Sequence, residues 1–401
     1  MSISLGLVGL GSFGRAFADL FMAHPLVDRI ALCDREPERM KPFANKPSWQ
    51  GKLHPDDLYP SLDAICATSG PRALDALVIM TQPWLHAPQA IQALEAGKHV
   101  YSAVPVISIP DADEILEWCD RLVRTVETTG LHYMLGETTY YRPQAMYCRR
   151  RARSGDFGDF VYAEGEYFHD VDAHTNLRDV RRHRLTGKAG DEWLAVEAEY
   201  RRRGVKDGPM HYPTHSTSGP ISVMAAHPIS VVAWGYANRD DDPYFADSAF
   251  SNETALFYMS NGATMRICEF REIGHPEREI FRVYGTEGSF ENDTWTDTYT
   301  HTAVTIEEMR DPLPPEVVAA FEAAVGPSFY GGHGGSHAYL VHEFVEAVAN
   351  DRTPAINVWE AVRYMAAGAT AHKSALQGGK PLDVPDWGDP PTDRKAQPNR
   401  L

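Results

Sequence analysis

Hydrophobic and polar positions follow one rhythm up to about residue 140 and another beyond it. The first run, Ile3-Ser4-Leu5-Gly6-Leu7-Val8, is almost wholly apolar and predicts a buried strand; after a glycine break, "GRAFADLFMAHP" takes up helical periodicity. The alternation then repeats. "RIALCD" and "LDALVIMTQP" read as strands, "HAPQAIQALEAG" as a helix, "KHVYSAVPV" as a strand, "DADEILEWCDRLVRT" as a helix and "LHYMLGETTYY" as a strand. Alternating units of this size predict an α/β domain over 1–140 with a parallel, doubly wound Rossmann sheet. Ligand in such a sheet belongs beyond the carboxyl ends of the strands, here near Thr81-Gln82-Pro83 and Ser102-Ala103-Val104-Pro105.

From residue 141 to about 385 the pattern favours strands paired by short turns. "QAMYCRRRAR" is a helix and "DFVYAEGEYFHD" a long strand. "TALFYMS" and "ATMRICEF" flank Asn261-Gly262, which predicts a hairpin with a type I′ turn, and "EIFRVYGTEGSFEND" adds another pair. Two helices close the domain, "SHAYLVHEFVEAVAND" and "NVWEAVRYMAAGATAHKSALQ", and they are expected to pack partly back on the first domain. The prediction is a second α/β domain with a large, mostly antiparallel open sheet, helices on one face and the other free for ligand or a second subunit. Residues 171–207 are polar, carry few strand signals and suit a lid or a subunit arm. Residues 386–401 form a proline-rich tail.

Charge narrows the partners. Thirty-eight basic residues against 55 acidic ones leave a net charge of −17, which repels phosphate backbones and anionic membranes, so neither nucleic acid nor a membrane is expected. The clusters "RRRAR" 149–153, "RRHR" 181–184 and "RRR" 201–203 read first as solvated faces or subunit contacts, and second as a source of one arginine for a substrate. Five scattered cysteines without CxxC spacing, and no secretory leader before "ISLGLVGLG", lead to the expectation of reduced thiols and a cytoplasmic protein.

The glycine break carries the first chemistry. Gly9-Leu10-Gly11-Ser12-Phe13-Gly14 is a G-x-G-x-x-G stretch between a strand and a helix, with one glycine for the turn, one for approach of a pyrophosphate and one for helix–strand packing. Asp34 ends the second strand, where an acid accepts ribose hydroxyls and disfavours a 2′-phosphate. Arg35 follows it and is the residue type that grips a 2′-phosphate. NAD is therefore the expected cofactor and NADP the alternative.

The second candidate is "GPMHYPTHSTSG", with His211 and His215 four apart. The residues alone allow a metal clamp completed by Glu166 or His169, an acid–base pair, or two side chains at a helix start. No metal is expected, because Pro213 interrupts the helix that H-x-x-x-H sites prefer.

"GLVGLGSFG", "TQPWLHAPQAIQALEAGKHV", Pro105, "YGTEGSF" and "EFVEAVANDRTPAINVWEAV" resemble the glucose–fructose oxidoreductase / inositol dehydrogenase / MocA family over nearly the whole chain. The resemblance implies NAD(P)-dependent oxidation or reduction of hydroxyls on small sugars or cyclic polyols, and a homo-oligomer, dimer or tetramer, joined through the open sheet. Two positions depart from the family pattern. Its Glu-Lys-Pro is Ala103-Val104-Pro105 here, and its Asp-x-Gly-x-His has His211 in place of the aspartate and His215 at the base. "YPTHSTSGP" with "EGEYFHD" is further similar to the branch of NAD-dependent α-N-acetylgalactosaminidases, in which a ring hydroxyl at C3 is oxidised transiently.

By that resemblance His215 is the expected base, with His211 or Tyr212 orienting the hydroxyl and His169 close by. Tyr167, Glu166 and Asp170 would face them from one strand, and His333 and His337 from "GGHGGSH". Tyr141 is expected either to stack on a sugar or to pack the junction, and His86 to be structural beside the cofactor. The preferred expectation is a sugar or glycoside oxidoreductase acting at C3. A redox-neutral glycosidase is the alternative, and a non-catalytic NAD sensor the third reading.

Overall fold

The structure, a computed structural model, describes residues 1–173, 177–237 and 241–391. Positions 174–176 of the polar excursion and 392–401 of the tail lie outside the described residues.

Six strands, β1 (Ile3–Val8), β2 (Val27–Cys33), β3 (Leu53–Tyr59), β4 (Ala76–Ile79), β5 (His99–Ser102) and β6 (Tyr133–Leu135), form one parallel sheet in the order β3-β2-β1-β4-β5-β6. This is the doubly wound order in which the chain reverses direction between β1 and β4, so a crevice opens at their carboxyl ends. All of β1 is buried, as its unbroken apolar run requires of a strand covered on both faces. β3 gave no apolar signal: its sequence, LHPDDLY, is half exposed at the sheet edge.

A second sheet contains β7 (Phe160–Phe168), β8 (Pro228–Ala237), β9 (Phe250–Met259), β10 (Thr264–Phe270), β11 (Arg278–Gly285), β12 (Gly288–Glu291), β13 (Thr294–Asp297), β14 (His301–Ala303) and β15 (Leu382–Asp383). Its order is β14-β13-β12-β11-β7-β10-β9-β8-β15, antiparallel except for the β7–β10 pair. The 261–262 hairpin forms, but not with a type I′ turn. Four residues separate β9 from β10, Gly262 alone has positive φ (+86°), and Met259 N–H donates to the Ala263 carbonyl. Positive φ at two successive turn residues occurs instead at Asn292-Asp293, between β12 and β13.

The helix Thr214–Met224 packs on β7, β10 and β11, and Val358–Leu376 packs on β8, so one face of the sheet is covered. The closing helices also reach the first sheet's layer. His337–Ala349 lies against the helix Ser12–Ala23, and Val358–Leu376 lies against Ala112–Thr129. On the open face Trp234, Tyr236, Leu256 and Tyr258 of β8 and β9 are exposed.

The excursion is helical. Leu177–Arg184 and Gly187–Arg202 connect β7 to β8, and the arginines in and just after them are mostly paired within the chain: Arg178 with Asp172 and Asp242, Arg181 with Glu197, Arg201 with Asp247, Arg203 with Asp111 and Glu114. All five cysteines are free thiols. Among the described residues no helix is long and apolar enough to cross a membrane.

Candidate active site

At the crevice, Gly9 adopts φ +89° and a Cβ on Gly14 would lie 2.2 Å from the Gly9 carbonyl oxygen, so helix and strand approach as only glycine allows. A Cβ on Gly11 would meet nothing within 4 Å. That open space lies at the start of the helix Ser12–Ala23, whose first N–H groups have no side-chain cap. Uncapped N–H donors facing a void are what a pyrophosphate requires, and Ser12, Phe13 and Gly14 supply them. Asp34 is buried, accepting from Leu10 N–H and Glu36 N–H at 2.8 Å each.

Thr81, Gln82 and Pro83 follow β4; Ala103, Val104 and Pro105 follow β5. The His86 ring sits between the Thr81 carbonyl (3.2 Å) and the Pro105 carbonyl (2.9 Å), tying the two strand-end loops together. Burial brings its pKa down to about 4, so it is neutral and donates to one of them.

His215 is the second residue of the helix Thr214–Met224, in its first turn, and is buried. Its Nδ1 lies 3.0 Å from a carboxylate oxygen of Glu137 and 3.7 Å from one of Glu279. Glu137 sits just past the carboxyl end of β6, and its Oε1 also accepts from Thr139 N–H at 2.9 Å. Glu279 carries Arg142 and the Thr139 hydroxyl. Two carboxylates, one guanidinium and one imidazolium thus balance in charge. Burial pulls the His215 pKa down, but Glu137 and then Glu279 more than reverse it, to about 9. With Nδ1 held by Glu137, Nε2 is the nitrogen left for a substrate.

The potential ligand atoms of Glu137, His215 and Glu279 lie within 4.8 Å of one another, a set that could hold a cation. The Arg142 guanidinium already occupies the outer side of Glu279, however, and the arrangement as it stands is a proton-holding cluster.

A second proton-handling pair adjoins it. The Tyr167 ring lies 5.0 Å from that of His215, and its hydroxyl is 2.7 Å from His169 Nδ1. Arg271 stands 4.8 Å over the Tyr167 ring and donates to Glu269 at 2.7 Å. Ser216 Oγ also donates to Glu269, whose carboxyl burial raises to about 7. The Tyr212 ring is 5.7 Å from His215, and its hydroxyl donates to the Val104 carbonyl at 3.2 Å. Tyr212 therefore bridges His215 and the loop in which Val104 stands where the family pattern has a lysine.

Other expected residues fall elsewhere. His211 ends a short 3-10 turn, and the chain leaves helical conformation at Tyr212 before the helix begins, so the four-residue spacing does not put the two histidines on one helix face. The His211 ring turns into the core against His372 (4.4 Å), and burial drives its pKa well down. Glu166 points to the opposite face of the sheet from Tyr167, as strand alternation demands, and pairs there with Arg266 and Arg278. Asp170 caps the backbone, accepting from Asp172, Ile273 and Gly274 N–H groups. Tyr141 is buried and stacks on Tyr339 at 6.1 Å.

His333 stands between the two halves of the cleft, 6.1 Å from the Phe13 ring and 6.4 Å from His215. It lies 3.0 Å from His337, which packs on Phe17. Glu137, Glu279, Thr139 and Arg142 were not anticipated. For Glu137 the signal was its place after a parallel strand.

Comparison with known proteins places this geometry. Residues 3–136 match the model of the oxidoreductase family's NAD-binding Rossmann fold, and residues 194–384 match that of its C-terminal alpha/beta domain. The chain belongs to the glucose–fructose oxidoreductase / inositol dehydrogenase / MocA family.

Among curated members, a glycosyl hydrolase family 109 protein of Parabacteroides distasonis is 25% identical, covering 77% of this chain and 71% of that one. An alpha-N-acetylgalactosaminidase of Tannerella forsythia is 24% identical, covering 77% and 70%. The fold is shared with levoglucosan dehydrogenase in complex with NADH (TM-score 0.70, 18% identity, 96% of this chain and 100% of that one). It is also shared with scyllo-inositol dehydrogenase of Lactobacillus casei with NAD(H) and scyllo-inositol (TM-score 0.65, 15% identity, 96% and 99%).

Proposed function

We propose that the protein oxidises a ring hydroxyl of a glycoside transiently, at C3, and releases the aglycone with no net redox change. The observation that carries this reading is the pairing of two proton-handling units, His215/Glu137 and Tyr167/His169, side by side on one wall. A simple dehydrogenase needs one base; oxidation followed by elimination needs one group for the hydroxyl proton and another for the acidified C2 proton. The names of the family 109 relatives support the same reading.

NAD, held by the Gly9–Gly14 cradle beside Asp34, would supply a reversible hydride acceptor. In the neutral form that prevails above its pKa, His215 Nε2 takes the hydroxyl proton, with Glu137 holding the proton on Nδ1. Tyr212, anchored on Val104, orients the hydroxyl in place of the missing lysine. The C3 ketone acidifies C2–H, and the Tyr167/His169 pair receives that proton as the C1–aglycone bond breaks. Water then adds at C1, C2 regains a proton, and the ketone is reduced with the proton from His215. The sum is hydrolysis.

The exposed aromatic stripe of β8 and β9 supports a homo-oligomer joined through the open sheet. The test is incubation with aryl glycosides in D2O. Aglycone release with deuterium at C2 and no accumulating NADH is expected. NADH accumulating with a ketone would establish the second reading, a net dehydrogenase, which needs only the His215 unit.

A further inference from the structure

The helix Gly187–Arg202 is fastened to the cofactor-binding half at three points. Trp193 stacks on Trp84, which follows Pro83 at the end of β4, with ring centroids 4.6 Å apart and planes 22° from parallel. Tyr200 donates to Glu114, and beyond the helix end Arg203 pairs with Glu114 and Asp111. The third point is at the ribose end of the cleft, where Arg35 Nη1 donates to Glu192 at 2.7 Å.

Arg35 directly follows Asp34, the position from which a cation would hold a 2′-phosphate. Here its charge is taken by a carboxylate from the other domain. A phosphate arriving there meets Glu192, with Asp34 and Glu36 close by, instead of the Arg35 guanidinium; among the described residues the one other cation paired with Asp34 is Arg39, at 3.8 Å.

We propose that Glu192, carried in by this helix, makes the protein selective for NAD over NADP by occupying Arg35 and setting its own negative charge where a 2′-phosphate would lie. NAD, which ends there in hydroxyls, is unaffected. The Trp84–Trp193 stack ties the helix to the strand-end loop and leaves the Arg35 charge untouched, so its loss is expected to act on both dinucleotides alike. The inference rests on the nicotinamide chemistry proposed above and names which dinucleotide serves it.

The test is direct binding of NADH and NADPH to the full-length protein by calorimetry, with no substrate present. Wild type should prefer NADH. Glu192→Ala and Glu192→Gln should tighten NADPH roughly three- to tenfold while moving NADH less than about twofold, as expected for releasing one half-exposed ion pair, and added salt should shrink the gain. Adding Arg35→Ala to Glu192→Ala should abolish it. Trp193→Ala should weaken both dinucleotides by the same factor.

An NADPH-to-NADH ratio unchanged in both Glu192 variants overturns the proposal, as does a gain that survives loss of Arg35 or a wild type indifferent to the 2′-phosphate. In those cases NADH still binds and the nicotinamide reading stands. Failure of wild type to bind either dinucleotide overturns both.

Discussion

Replacing Glu137 with Gln removes one negative charge from His215 and leaves an amide able to meet Nδ1. The His215 pKa stands at about 9 against 6.5 for an ordinary imidazole, although burial alone would lower it. The difference corresponds to about 3 kcal/mol of preference for the imidazolium, at 1.36 kcal/mol for each pH unit. Glu137 at 3.0 Å contributes more of it than Glu279 at 3.7 Å. Glu137→Gln should therefore lower the His215 pKa by about one to two units, to roughly 7–8, with Glu279 still opposing the effect of burial.

The sign for stability follows. A raised folded-state pKa stabilises the fold fully below pH 6.5, and that contribution is lost as pH rises through about 9. Glu137→Gln should flatten this part of the stability profile. Long-range nitrogen–proton NMR of the imidazole, assigned with His215→Ala, measures the titration directly. The rising limb of kcat/KM should move to lower pH with it. A wild-type midpoint near 6.5, or a midpoint unmoved in Glu137→Gln, would refute the assignment of His215 as a base tuned by that carboxylate.

Four further variants separate fold from site. Gly11→Ala fills only open space, so stability should hold while NADH affinity drops at least about tenfold by calorimetry. Gly14→Ala drives a methyl into the Gly9 carbonyl, and thermal unfolding should show the damage. Arg271→Ala leaves the buried Glu269 carboxylate unpaired and should cost about 3–5 kcal/mol in urea unfolding, more at pH 8 than at pH 6 because the carboxyl ionises near 7. Leu256→Arg on the exposed stripe should shift the assembly to monomers in light scattering with the fold intact; an unchanged mass would move the interface elsewhere.

The fold was legible in most strands where burial imposes a period, although β8 (Pro228–Ala237) was not read as one. β1 and β4 are apolar throughout because both faces are covered, and β9 and β10 alternate because one face is open. β3 escaped notice because an edge strand needs neither pattern, and the short strands after Glu291 because each is three or four residues long. The turn at 261–262 shows the limit of dipeptide rules. Asn-Gly favours the type I′ turn, but loop length decides whether the two residues occupy its central positions, and here two extra residues displace them.

The site was legible where backbone geometry fixes it and illegible where side-chain direction does. The glycine cradle, Asp34 and the two strand-end loops stand where the sheet topology requires. His211 and His215 were paired by counting residues, yet spacing specifies a shared face only inside a continuous helix, and the break at Tyr212 sends one ring toward Glu137 and the other toward His372. Glu166 and Tyr167 are neighbours in sequence and face opposite ways for the same kind of reason. Glu137 obeys the rule that located Thr81 and Ala103, since it too follows a parallel strand. Applied to every strand of the first sheet, that rule would have found the carboxylate that tunes the histidine, because a residue there is aimed by the sheet and not by the helix it happens to precede.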